Sequence, residues 1–182
     1  MHRMRTLAVG LAVATCLGSG AMALAPTALA SVARPAGTGS FHSWRAAQRA
    51  AGFGLLRPSY TAGLRQTGAI SVDRCQAAGK LSKRSVFAGY GSFLARWLSI
   101  QQKNTRSACG NFAEARVLGH YVVQGRRATM WGVCGDSLGP PCSSRKITLY
   151  LTWNKHGNYY VAGSHNERRH ALVAFARGLY PV

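Results

Sequence analysis

The chain has 182 residues, with 23 Lys+Arg against 4 Asp+Glu, a formal net charge of +19. Hydrophobic residues at 47% and aromatics at 9% are enough for a packed core, which excludes a disordered basic tail. Four acidic residues are too few for calcium loops or two-metal centres, which are built from several carboxylates.

Residues 1–30 read as a Sec-type signal peptide. Arg3 and Arg5 supply the positive start, Leu7 to Leu24 is apolar and small, and Ala28-Leu29-Ala30 is the small-x-small pattern before a cleavage point. Met4 separates the two arginines, so the twin-arginine signal is missing. Cleavage after Ala30 predicts a secreted or extracytoplasmic protein with no transmembrane segment and a mature charge of +17. An uncleaved anchor is the rival reading, opposed by Gly10, Gly18, Gly20 and Pro26 in the apolar run. Lipoprotein anchoring at Cys16 is a minor alternative, weakened by Thr15 before it.

Four cysteines follow the signal: Cys75, Cys109, Cys134 and Cys142. An even number in an exported chain predicts two disulfides, and three pairings are open. The turn-rich segment 135–141 can bring Cys134 to Cys142, which leaves Cys75 for Cys109. A zinc site is disfavoured, because no pair has the short spacing of zinc ligands.

Residues 31–39 are small and Pro/Gly-rich, a flexible linker to a single domain over 40–182. Ser40 is placed to cap a helix from Phe41 to Ala51, stopped by Gly52. Phe53 to Leu56 reads as a strand entering a turn at Pro58. Seven β-rich runs follow: 69–74, 85–90, 94–102, 115–124, 128–134, 146–153 and 158–162. Residues 154–158 form a hairpin loop between the last two. Ser164 and Glu167 fit a capping box for a closing helix in which Leu172, Phe175, Ala176 and Leu179 recur at helical spacing. The expected fold is α+β, a curved antiparallel sheet of six or seven strands with an N-terminal and a C-terminal helix packed on it.

Three stretches carry a resemblance: Ala47 to Tyr60 (AQRAAGFGLLRPSY), Val123 to Ala128 (VQGRRA), and Leu151 to Gly163 followed by a helix over Asn166 to Leu179. In this order they resemble a family of bacterial extracytoplasmic domains of unknown function seen in sporulation and anti-sigma-factor proteins. That family is related in fold to lipoprotein-carrier and sigma-E regulatory proteins. The resemblance implies helices on the concave side of a curved sheet that holds a lipid-like or protein ligand, and it implies no catalytic residues.

Eighteen of the basic residues are Arg, with pairs at Arg126-Arg127 and Arg168-Arg169 suited to clamping phosphate or sulfate oxygens. Such a field attracts nucleic acid at low salt without specificity. Trp131, Trp153 and Tyr159, with Arg126 and Arg127, are the candidate ligand-binding residues, since rings on strands can line a groove and stack bases or sugars. A basic ribonuclease would need a carboxylate and a histidine in one cleft, drawn from Glu114 or Glu167 and His120, His156, His165 or His170. Gly89-Tyr90-Gly91-Ser92 is neither a nucleophile elbow nor a phosphate loop. The reading is an exported, non-catalytic binding or regulatory domain without metal or cofactor, its partner a polyanion or lipid-like envelope component. The alternative is a secreted basic nucleic-acid-acting protein, most plausibly a ribonuclease.

Overall fold

The computed structural model describes residues 38–77, 80–92, 94–105, 115–134 and 147–182. The expected signal peptide with its cleavage point and Cys16, the linker over 31–37, Glu114 and the disulfide pairing all lie outside the described residues. Of the cysteines, only the backbones of Cys75 and Cys134 are described, as strand residues.

An eight-stranded, fully antiparallel sheet is built from β1 (Gly39–Phe41), β3 (Gln66–Ala77), β4 (Lys80–Gly91), β5 (Trp97–Lys103), β6 (Arg116–Val123), β7 (Arg126–Cys134), β8 (Ile147–Lys155) and β9 (Asn158–His165). Its order is β1-β3-β4-β5-β9-β8-β7-β6. Two meanders, β3-β4-β5 and β6-β7-β8-β9, therefore meet where β9 pairs with β5. A second sheet joins β2 (Leu56–Pro58) to β10 (Leu179–Pro181). The helices are α1 (Trp44–Ala51) and α2 (Arg169–Arg177).

The α+β class of the sequence reading stands, with eight strands in the main sheet instead of six or seven. The additional strand is β1, drawn from the end of the expected linker. A three-residue ladder, Gly39 to Phe41 against Val72 to Ile70, needs only backbone groups and leaves no hydrophobic alternation to read. Ser40 belongs to this strand, so the cap of α1 is Ser43, whose hydroxyl accepts from the Ala46 amide at 3.3 Å. Gly52 ends α1 with φ 74°, as expected of a glycine after a helix. β5 starts at Trp97, three residues later than expected. Gly91 has φ 79°, and a Cβ there would collide with the Arg96 carbonyl, so a tight turn occupies these residues and leaves Leu94 exposed.

The capping box on α2 is not formed. Ser164 is a buried residue of β9, Arg168 is the N-cap without a side-chain hydrogen bond, and the Glu167 carboxylate binds Arg96 instead. Glu167 sits one residue before the cap, so Arg96, arriving from the β4–β5 turn, captures it.

Alternation along the strands sends Ile70, Val72, Val86, Ala88, Tyr90, Leu98, Ile100, Tyr160, Ala162, Leu151, Trp153, Ala128 and Met130 to one face. Ala47 and Ala51 of α1, and Leu172, Phe175 and Ala176 of α2, complete the core against them. Tyr90 meets Phe175 edge-on at 5.8 Å, and burial pushes its hydroxyl up to about 12.

A buried amide fastens the β2 side of the β2–β10 ribbon to this layer. Gln102 of β5 accepts from the Leu56 amide at 2.8 Å and donates to its carbonyl at 2.5 Å. Replacing Gln102 by Leu leaves both Leu56 groups unpartnered and is expected to cost about 2–4 kcal/mol. Urea unfolding monitored by tryptophan emission measures that loss.

Candidate functional site

The same alternation turns a second set of side chains to the face away from the helices. From β4 and β5 come Ser85, Phe87, Trp97, Ser99, Gln101 and Lys103; from β9, Tyr159, Val161 and His165; from β8, Thr148, Tyr150 and Thr152; and from β7, Trp131. An ordinary half-solvated sheet would carry charges and short polar groups here. This face carries five aromatic rings instead, set among hydroxyls and amides.

Glycines make room for the rings. A Cβ on Gly163 would stand 2.8 Å from Ser99 Oγ, 3.2 Å from the Tyr150 ring and 3.3 Å from the Trp97 ring. A Cβ on Gly89 would stand 3.2 Å from Trp97 Nε1. Trp97 and Tyr150 therefore lie down over bare backbone, and Phe87 extends the surface with its ring centroid 6.3 Å from that of Trp97. Phe87 remains 37% exposed.

Polar contacts fix the rings in place. Trp131 Nε1 donates to Thr152 Oγ1 at 2.9 Å, and Thr152 also bonds the Tyr159 hydroxyl. His165 Nδ1 and Thr148 Oγ1 stand 3.0 Å apart, and Gln101 donates to Ser85 Oγ at 2.8 Å. Burial raises the hydroxyl pKa of Tyr150 and of Tyr159, so both hydroxyls stay protonated. The Lys103 ammonium lies 5.7 Å from the Tyr159 ring centroid, a cation–π contact, with the side chain 1% exposed.

Of the residues singled out from sequence, the structure brings Trp131 and Tyr159 onto this face, flanking Thr152. Trp153 goes to the other face, 2% exposed and stacked on Tyr160 at 5.2 Å. As Trp131 and Trp153 sit on neighbouring strands in adjacent registers, Thr129 to Thr152 and Met130 to Leu151, their parity is opposite. Arg126 and Arg127 begin β7 beside the Gln124-Gly125 turn, both exposed. Sequence reasoning missed Trp97, Tyr150 and Lys103 as members of this face. The available signal was their shared parity with Ser99, Gln101 and Thr152 once the strand pairing is known.

A second feature gathers charge. A cleft of about 490 Å³ is lined by Tyr60, Arg96, Asn166, Glu167, Arg168 and His170. Glu167 Oε1 receives Arg96 Nε at 2.6 Å and Nη2 at 2.5 Å, with the glutamate side chain 5% exposed. Glu167 and His170, two of the ribonuclease candidates, thus share one cleft. His120 lies at the outer strand β6, His156 in the β8–β9 turn and His165 on the aromatic face.

Among the described residues no three His, Cys, Asp or Glu side chains come together as metal ligands, and no helix is long and apolar enough to cross a membrane. The chain matches no protein-family model, no curated protein and no solved structure.

Burial lowers Lys103 from 10.5 to about 8. Below about pH 8 the folded state carries a buried charge that the unfolded chain would hydrate. Between about 8 and 10.5 the folded state has released that proton while the unfolded chain retains it, so this residue makes stability rise with pH. Thermal melts across that window are expected to show the rise in the native chain and its loss in Lys103→Met.

Proposed function

We propose that this protein is an exported, non-catalytic binding domain that holds an anionic, ring-bearing envelope polymer on the aromatic face of its sheet. The observation that carries the reading is the row of rings laid over Gly89 and Gly163 with hydroxyl and amide groups between them. Flat rings stack on sugar or base faces, and the half-buried Gln101 and His165 set polar groups among them, which an acyl chain does not use. A polar ring-bearing ligand therefore suits this face better than a lipid tail. Net charge of +19 draws an acidic polymer to the protein, while stacking retains it after salt has screened the charge.

A second reading has its own observation. Glu167, His170, Arg96 and Arg168 line one cleft, and these are the residue types of an acid–base phosphodiester site. The ion pair weighs against it, because Arg96 holds Oε1 twice and the glutamate side chain is only 5% exposed, which leaves little of the carboxylate open to a substrate.

One titration separates these readings. An oligomer of galacturonic acid, added at physiological salt, is expected to change the emission of Trp97 and Trp131. The effect is expected to fall about tenfold in affinity in Trp131→Ala, from loss of one stacking partner, and in Gly163→Ala, where the added methyl displaces the rings. Retention of the native affinity in both variants would remove the aromatic face from the binding site. A labelled RNA oligomer run in parallel is expected to stay intact. Its progressive shortening, abolished by His170→Ala, would establish the nucleolytic reading instead.

A further inference from the structure

The β4–β5 turn stands at one end of the strands, and neither reading uses its tip. The Ser92 amide donates to the Arg96 carbonyl at 2.9 Å, and the Ala95 amide to the Ser92 carbonyl at 3.0 Å. Leu94 lies within this closed turn, 93% exposed, the most exposed large hydrophobic side chain among the described residues. Two contacts fasten the turn to the segment that enters α2. Asn166 Nδ2 donates to the Ala95 carbonyl at 2.8 Å, and Arg96 holds Glu167 at 2.5 Å. These bonds hold the leucine out from the fold.

Basic side chains surround the tip. Arg65 lies beside it, since its carbonyl accepts from the Gly91 amide at 2.9 Å. Arg96, Arg168 and His170 line the adjoining cleft with Tyr60, which is 41% exposed. The acidic group among them, Glu167, is 5% exposed and already paired with Arg96. The other described acidic side chain, Asp73, stands on β3 six residues beyond Thr67, whose hydroxyl bonds the Gly91 carbonyl. Six strand residues span about 20 Å, more than twice the screening length of about 8 Å at physiological salt. No described carboxylate therefore offsets Arg65 and Arg168.

A lone exposed leucine is ordinary. This one is fixed in place, ringed by unbalanced charge and set near an exposed tyrosine, and those are the parts of an interfacial anchor. We propose that this end of the protein docks on a bilayer surface rich in acidic lipids, with Leu94 entering the interface and Arg65, Arg168 and His170 meeting the headgroup phosphates. Charge and the leucine together select this occupant. A soluble polyanion would use the arginines but gain nothing from Leu94. A second copy of this chain would bring another +19 against them. The aromatic face contributes none of these residues, so the proposal stands or falls independently of polymer binding.

The test is co-sedimentation of the mature protein with vesicles at physiological salt. Phosphatidylcholine alone is compared with equal parts of phosphatidylcholine and phosphatidylglycerol, and binding to the acidic vesicles only is expected. Leu94→Ser, at so exposed a position, is expected to weaken binding about fivefold with an unchanged melting temperature. Arg65→Ala/Arg168→Ala is expected to weaken it about twentyfold. Arg126→Ala/Arg127→Ala removes equal charge at the start of β7, which the register places toward Lys103, the end of β5 away from the tip. That control is expected to stay within about twofold of the native chain. Trp131→Ala is expected to bind the vesicles as the native chain does, whatever becomes of polymer binding. An equal loss in the control would show attraction by net charge alone and would overturn the proposal. So would undiminished binding by Leu94→Ser, the result a surface for soluble polyanions or acidic proteins would give. Failure to bind the acidic vesicles, or equal binding to the neutral ones, would overturn it as well.

Discussion

The Gln102 amide ties the two layers together. Residue 102 lies on the helix side of β5, a central strand, where alternation calls for an apolar side chain. In its place a fully buried carboxamide reaches out of the sheet and meets both backbone groups of Leu56, as a neighbouring strand would. On its other side β2 pairs with β10, and there Pro181 stands opposite Leu56. The bonds of that ribbon run at the neighbouring positions, Val182 to Leu55 and Ser59 to Gly178, so both backbone groups of Leu56 point away from β10 and depend on Gln102. The chain that leaves α1 is thus fastened to the sheet by Gln102 and to the chain that leaves α2 by the ribbon's own ladder.

Other amides extend the same arrangement. Gln48 of α1 accepts from the Leu55 amide at 2.8 Å, and Gln124 donates to the Leu179 carbonyl at 2.7 Å while accepting from Lys155 at 3.2 Å. A short ribbon between two helices has many backbone groups that no ladder satisfies, and neutral carboxamides supply both donors and acceptors without burying a charge. With so few carboxylates in the chain, this work falls to glutamine. The Glu167–Arg96 pair, at the periphery of the same layer, is the charged counterpart: a near-buried carboxylate held by a half-exposed guanidinium.

The sequence made some of this legible and hid the rest for physical reasons. The runs at 85–90, 128–134 and 146–153 have enough apolar alternation to be read as strands, and the Gly52 stop and the 154–158 loop carry their own turn chemistry. β1 and the outer parts of β3 and β4 are held by ladder bonds, which leave no mark in side-chain hydrophobicity. Glu167 could be read as a cap because local spacing fits, but its partner Arg96 lies 71 residues away and no local rule can name it. The sites of Trp131 and Trp153 depend on strand parity. Both are strand tryptophans, yet one residue of register decides that Trp131 stays on the aromatic face and Trp153 enters the core.

The centre of the aromatic surface is built of neutral side chains and bare backbone. The rings need neutral surroundings and bare backbone, which Ser99, Thr152, Gly89 and Gly163 provide, and a cluster of guanidiniums among them would repel itself and lift the rings away. Several arginines sit at the turns and helix flanks, Arg126 and Arg127 at the start of β7 and Arg168, Arg169 and Arg177 along α2, while Arg74, Arg84 and Arg116 lie within strands. Lys103 lies on the aromatic face with its charge buried, and burial moves its titration down to about 8. In the proposed reading the two sets then act in sequence. Long-range charge gathers acidic partners without discriminating among them, and the short-range geometry of the rings decides which partner stays.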